Sequence, residues 1–170
     1  MALWMPIGVI RPSYQWDVLA PRAAQAAVGN TTYARYAASW EEGVVLRGWR
    51  LDAPLHPGST VALTLTWQSL AQMHLPWTVF VHLVDETGLI VAQSNRQPRS
   101  DALPFPRWTK GDWVDDTHWL TLPAELPPGN YRLRVGLFWP DGGGRRQLAW
   151  DAQGEPLGDV AELGWVAVGR

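Results

Sequence analysis

The four histidines and 16 acidic side chains are the groups with which this chain could do acid–base or metal chemistry. His56, His74, His82 and His118 are scattered, but His82 and His118 fall in stretches that read as strands, so a fold could bring them together. With Asp85 and Asp115 or Asp116 they would make a facial His–carboxylate set, the basis of a small metal-dependent hydrolase. A strand histidine is more often hydrogen-bonded to backbone or to a carboxylate, and that is the favoured reading. Asp115-Asp116 and Glu41-Glu42 are the obvious acid pairs. Glycoside chemistry needs two carboxyls flanking a cleft. Strand neighbours point to opposite faces, so Asp115 and Asp116 cannot form one such pair. Asp141-Gly-Gly-Gly144 and Asp151 to Glu155 offer loop oxygens of the kind that hold Ca2+, without EF-hand spacing. No other cofactor is implied. The chain has no Cys, which excludes thiolate metal sites, cysteine nucleophiles and disulfides. It also lacks Gly-x-Ser-x-Gly, His-Glu-x-x-His and a phosphate-cradling glycine loop. The expectation is a domain that is not itself an enzyme.

Tryptophan is the compositional anomaly, with 12 residues against 3 Phe and 4 Tyr. Trp49, Trp67 and Trp77 fit the apolar side of strands and read as core. Trp108 and Trp113 flank a turn, Thr109-Lys110-Gly111-Asp112, and Trp139 opens the glycine loop that carries Asp141 and Arg145. Exposed aromatic faces beside polar loops suit the apolar faces of sugar rings, while acids, amides and guanidiniums bind hydroxyls. Trp108, Trp113, Trp139, Asp141 and Arg145 are therefore the candidate ligand-binding residues. Two other roles compete. Tryptophans can plug the ends of a sandwich with the indole N–H on a loop carbonyl, which is the ordinary role, or they can meet another domain or a membrane surface.

The elements that must position these residues are strands. Val61, Leu63, Leu65 and Trp67 alternate with Ala62, Thr64, Thr66 and Gln68, the signature of a half-buried strand. Tyr131, Leu133, Val135, Leu137 and Trp139 repeat the pattern. Trp77 to Asp85 is apolar at nearly every position and predicts a central strand buried on both faces, and Glu86-Thr87-Gly88 turns it into Leu89 to Gln93. Val44 to Asp52, Trp113 to Leu122, Arg146 to Asp151 and Val160 to Val168 complete about eight strands. Ser94 to Gly111, with three prolines, is a connection long enough to cross between sheets or to carry function. No segment has a convincing helical period. The fold class predicted is all-β, an antiparallel two-sheet sandwich of Ig-like or jelly-roll type.

Composition agrees. Pro and Gly together make 30 of the 170 residues, and charged residues only 18%. So many turns in one domain suit many short strands. The formal net charge of −2 excludes a dominant basic footprint for nucleic acid. Residues 44–170 read as the sandwich and residues 1–43 as an extended N-terminal arm packing along it. The apolar opening, residues 2–10, is far shorter than the roughly 20 residues a membrane helix needs, and Pro6 and Gly8 interrupt it. It reads either as a greasy arm on the domain or as the trailing end of a membrane helix from a longer protein. The chain as given carries no transmembrane segment and is expected to be soluble.

Several stretches together resemble a known family. They are Leu46-Arg-Gly-Trp-Arg-Leu-Asp52, His56-Pro-Gly-Ser-Thr-Val-Ala-Leu-Thr-Leu-Thr-Trp-Gln68, Thr78-Val-Phe-Val-His-Leu-Val-Asp85, Arg107-Trp-x-x-Gly-Asp112 and Leu126-Pro-Pro-Gly-Asn-Tyr-Arg-Leu-Arg-Val-Gly-Leu137. This series resembles the C-terminal soluble domain that follows the membrane helices in bacterial glycosyltransferases of the protein-mannosyltransferase type, and related uncharacterised bacterial proteins. Pro6-Ile-x-Val-Ile-x-Pro-x-Tyr14 is similar to the segment after the last membrane helix there. The resemblance implies an extracytoplasmic β-sandwich, tethered to a membrane protein, whose partner is glycan or the parent enzyme. It implies no catalytic residue here, because that family's acidic catalytic residues lie between membrane helices. The resulting expectation is a non-catalytic accessory module that binds carbohydrate. The alternative is a structural, protein-interaction sandwich with no sugar site.

Overall fold

The computed structural model describes residues 30–39 and 42–169. Their order is β1 (Asn30–Ser39), β2 (Glu42–Leu51), β3 (Thr60–Ala71), β4 (Thr78–Val84), β5 (Ile90–Arg96), β6 (Trp113–Thr121), β7 (Gly129–Trp139), β8 (Arg145–Arg146), β9 (Ala149–Trp150), β10 (Pro156–Gly158) and β11 (Ala161–Val168). Two antiparallel sheets result, a six-stranded one in the order β10-β9-β1-β2-β3-β6 and a five-stranded one made of β11-β7-β4-β5 with β8 on β7. The chain is an all-β antiparallel sandwich, as its alternation predicts. Among the described residues there is no α-helix, and no helix long and apolar enough to cross a membrane.

The period-two strands land where their side chains require. Val61, Leu63, Leu65 and Trp67 of β3 face Leu133, Val135 and Leu137 of β7 within one apolar cluster between the sheets. Strand β4 is central in its sheet, flanked by β5 and β7, and is buried on nearly every residue. The β4–β5 hairpin turns at Asp85, whose carboxylate accepts the Thr87 and Leu89 backbone N–H groups, both at 2.9 Å. Residues 97–112 carry the chain from β5 in one sheet to β6 in the other, the crossing that the proline-rich connection predicts.

One boundary differs from the sequence-based one. Asn30–Ser39, placed there in the N-terminal arm, is a full strand between β2 and β9. The Tyr36 side chain is completely buried, lies 5.8 Å from the Trp67 ring, and donates its hydroxyl across the sandwich to the Val135 carbonyl at 3.0 Å. Burial pushes this phenol well above its ordinary range. The strand was hidden because its two tyrosines are three residues apart among small alanines, so it shows no period of two, and its pairing with β2 is interrupted by two register shifts. The rest of the expected arm, residues 1–29, lies outside the described residues.

Candidate functional site

Strand β6 builds the best-defined polar site, and its alternation explains how. Val114 and Leu120 belong to the apolar cluster, so the even positions face inward. That register drives Asp116 and His118 into the sandwich, where each is only 1% exposed. Burying two such groups is costly unless they are paired and hydrogen-bonded. The pairing is complete. His118 Nε2 lies 2.9 Å from Asp116 Oδ2, and His118 Nδ1 lies 3.1 Å from the Ser94 hydroxyl on β5. The other Asp116 oxygen accepts the Arg99 backbone N–H at 2.7 Å. With Nε2–H donating to the carboxylate and Nδ1 accepting from the serine, every polar atom of the imidazole is used.

A serine, a histidine and an aspartate in a row have the composition of a nucleophilic relay. Here the row is closed in. Ser94 is 8% exposed and His118 sits behind it, so an external carbonyl has no approach to the hydroxyl. The row instead ties the free edges of the two sheets, β5 and β6, and pins the crossing loop. That loop holds Arg99, Ser100 and Asp101 at φ 58°, 54° and 68°, three consecutive non-glycine residues in the left-handed region. Each costs about 1–3 kcal/mol and persists only where the surroundings impose it. The Asp101 carboxylate accepts the Gln97 N–H at 2.8 Å, and Arg99 donates from its guanidinium to the Asp115 carbonyl at 3.2 Å.

The odd positions of β6 face solvent. Asp115, Thr117 and Trp119 line an open groove of about 300 Å³ whose opposite wall is Arg99 and Ser100 of the strained loop. Trp119 is 54% exposed. Asp115 accepts the Thr66 hydroxyl at 2.8 Å and lies 4.0 Å from the Arg50 guanidinium. The carboxylate is thus fixed in orientation yet half open to solvent. An exposed indole face, an oriented carboxylate, a guanidinium and two hydroxyls converge there, a set suited to a hydroxylated ring.

The residues singled out from sequence are placed differently. Trp108 is 1% exposed and packs 4.6 Å from Phe105, and its indole N–H donates to the Leu103 carbonyl at 2.9 Å. It plugs the end of the sandwich and offers no face to a ligand. Trp113 is half-buried on the outer face of the six-stranded sheet, with the Arg47 guanidinium 6.0 Å from its ring centre. Trp139 is also half-buried. Gly142 packs so close that a Cβ there would lie 2.1 Å from the indole, and Arg145 lies 5.4 Å over the ring. Arg145 also covers Trp77 at 5.5 Å, so it and the glycine loop occupy Trp139. Asp141 is exposed in the short 3-10 turn after β7. Trp139, Asp141 and Arg145 therefore share one loop, whereas Trp108 and Trp113 belong to other surroundings.

The metal alternatives are not assembled. His118 points inward from β6, His82 points outward from β4 in the other sheet, and Asp85 is taken up by its own turn. Among the described residues, no three His or acidic groups are gathered to hold a metal ion. Asp151 accepts the Gln153 and Glu155 backbone N–H groups at 2.9 and 2.8 Å, closing its loop internally. Glu41 lies outside the described residues.

Sequence reasoning passed over Trp119 and Arg99. The signal for Trp119 was present, since Val114 and Leu120 bracket a strand whose odd positions must then face out. Arg99 carried no signal, because its place depends on the loop that Asp116 pins. Comparison with known proteins finds no matching family model and no matching curated protein.

Proposed function

We propose that this sandwich is a non-catalytic, carbohydrate-binding accessory module that serves a membrane glycosyltransferase outside the cytoplasm. The observation that carries the binding reading is the exposed Trp119 beside Asp115, Thr117, Arg99 and Ser100 in one groove. A sugar presents C–H groups to the indole face and hydroxyls to the carboxylate and guanidinium. The link to a glycosyltransferase rests on the motif resemblance from Leu46 to Leu137. An open groove of this size buries little of its ligand, so the expected affinity is millimolar, about 4 kcal/mol.

A glycan array followed by NMR titration tests this. Trp119→Ala should abolish binding while leaving the melting temperature nearly unchanged, since the ring is exposed. Trp113→Ala and Trp139→Ala should retain binding. A folded domain that binds no glycan, or one that binds equally without the Trp119 indole, overturns the assignment.

A second reading is a protein-interaction sandwich. It is favoured by Leu148 and Leu157, both exposed large apolar side chains at the β9–β10 edge of the six-stranded sheet. It expects a self-association or partner contact that Leu157→Lys removes, measured by sedimentation.

A further inference from the structure

The five-stranded sheet also has an outer face, and a groove of about 310 Å³ lies on it, lined among others by Phe80, His82, Gln93, Asn95, Phe138 and Arg146. Its floor is aromatic. Phe80 and His82, two apart on β4, share this face, with ring centres 4.7 Å apart, and Phe138 lies 6.2 Å from Phe80. Phe80 lies over Gly136 of the neighbouring strand, where a Cβ would come within 2.2 Å of the ring. The glycine makes room for the phenyl, which is itself only 2% exposed, so the aromatic surface open to the groove is that of the half-buried His82 and Phe138.

The walls are polar and uncommitted. The His82 imidazole and the Gln93 and Asn95 amides have no hydrogen-bond partner in the described chain, although His82 is half-buried. Burial, followed by the Arg146 and Arg134 guanidiniums, holds His82 below its ordinary pKa. Arg146 lies 4.9 Å over the Phe80 ring and 3.3 Å from Asp159, an ion pair nearly half exposed on each side. Arg134 pairs with Glu162 at 2.8 Å. The charged groups facing His82 are therefore Arg134 on β7 with Glu162 on β11, and Arg146 on β8 with Asp159. The adjoining β5 positions, Gln93 and Asn95, are neutral. Surface pairs of this kind contribute little, so Arg146 can exchange Asp159 for an incoming anion at little cost.

We infer that this groove is a second ligand site, separate from the Trp119 groove, and that it takes a single hydroxylated ring carrying an oxyanion, either carboxylate or phosphate. The exposed edge of Phe138 receives the ring, the Gln93 and Asn95 amides meet its hydroxyls, and Arg146 with His82 receives the anion. The volume lies at the small end of the roughly 300–1,000 Å³ usual for ligand sites, which limits the ligand to about one ring. An anion beside His82 favours the imidazolium, so binding takes up a proton and strengthens as the pH falls.

The test is NMR titration of the whole chain with glucuronate, glucose 6-phosphate, inorganic phosphate and glucose, at about pH 7.5 and about pH 5.5, either side of the imidazole range. Expected are saturable shifts of the Gln93 and Asn95 side-chain amides with glucuronate or glucose 6-phosphate, whichever carries the preferred anion. Binding of glucuronate, whose carboxylate stays ionised at both pH values, should be several-fold tighter at the lower pH, and the His82 titration midpoint should rise when ligand is bound. Arg146→Gln and Asn95→Ala, both exposed positions, should each weaken binding about tenfold, a change of about 1.4 kcal/mol. Trp119→Ala should leave it untouched, which separates this site from the one above. Equal binding of glucose overturns the anion assignment. Equal binding of inorganic phosphate overturns the ring. No shift with any of the four, in a folded protein, overturns the site.

Discussion

Two tryptophans, one inside the proline-rich crossing and one on the strand that follows it, have opposite roles, and side-chain environment decides which is which. Trp108 gives its N–H to Leu103 and its ring to Phe105, and Phe105 in turn meets Trp67 edge-on with centres 6.0 Å apart. Trp108→Ala should cost about 3–5 kcal/mol, the range for removing a buried large aromatic, read as a fall in the urea midpoint. Trp119→Ala should change stability by less than about 0.5 kcal/mol, the usual bound for exposed positions. Asp116→Asn should be severe in a different way. It leaves His118 facing an amide and weakens the anchor of Arg99, and a hydrogen bond to a charged group contributes about 1.5–3 kcal/mol. Amide exchange should show the damage first at residues 97–103, whose left-handed turn loses its imposed conformation. A destabilised variant with that loop still protected would show that Asp116 does not pin it.

Strands carry the next level, and their registers explain which faces are available. On β11 the run Ala161, Leu163, Trp165 looks like one buried stripe. A bulge between Glu162 and Gly164, with Gly164 at φ 135°, reverses the phase. Trp165 therefore faces out, 57% exposed, under the Arg132 guanidinium at 5.3 Å. On β7, Gly136 is the residue that β4 needs, since Phe80 fills the space of its missing side chain. Gly136→Ala should displace the Phe80 ring and cost about 1–3 kcal/mol, as overpacking does, with the change visible in Phe80 ring shifts. The outer face of β4 also sets a pH dependence. His82 is held below its ordinary value of 6.5, so the folded state binds its proton less readily than the unfolded chain. Stability should be fully present above that value and decline as the pH falls through it toward the lowered folded value. Melting curves of the wild type minus those of His82→Gln should isolate this decline. A difference that stays flat across the interval would show that folding leaves the imidazole unperturbed.

The whole molecule depends on β1 as much as on the strands whose alternation is obvious. A chain beginning at residue 44 would lack Tyr36, its bond to Val135, and the bond from the Gln147 amide to the Ala37 carbonyl. It would also leave β2 and β9 without the strand between them. That fragment should give no cooperative melt by circular dichroism, whereas a chain beginning at residue 30 should keep one. Cooperative folding of the shorter fragment would return β1 to the status of an appended arm. The two-sheet class, the central place of β4, the β3 and β7 core faces and the sheet-to-sheet crossing were legible in the sequence itself. Each depends on local hydrophobic period and turn chemistry, which neighbouring residues settle. The placement of Asp116 and His118 inside, and of Trp119 outside, was half legible, because Val114 and Leu120 set the phase of β6. Only the tertiary structure decided that Ser94 meets His118, that Arg99 closes the Trp119 groove, that Gly142 and Arg145 occupy Trp139, and that Phe80 packs between Gly136 and Arg146. Those contacts join residues far apart in the chain, and their geometry follows from how two twisted sheets and their crossing loop pack, which no local period encodes.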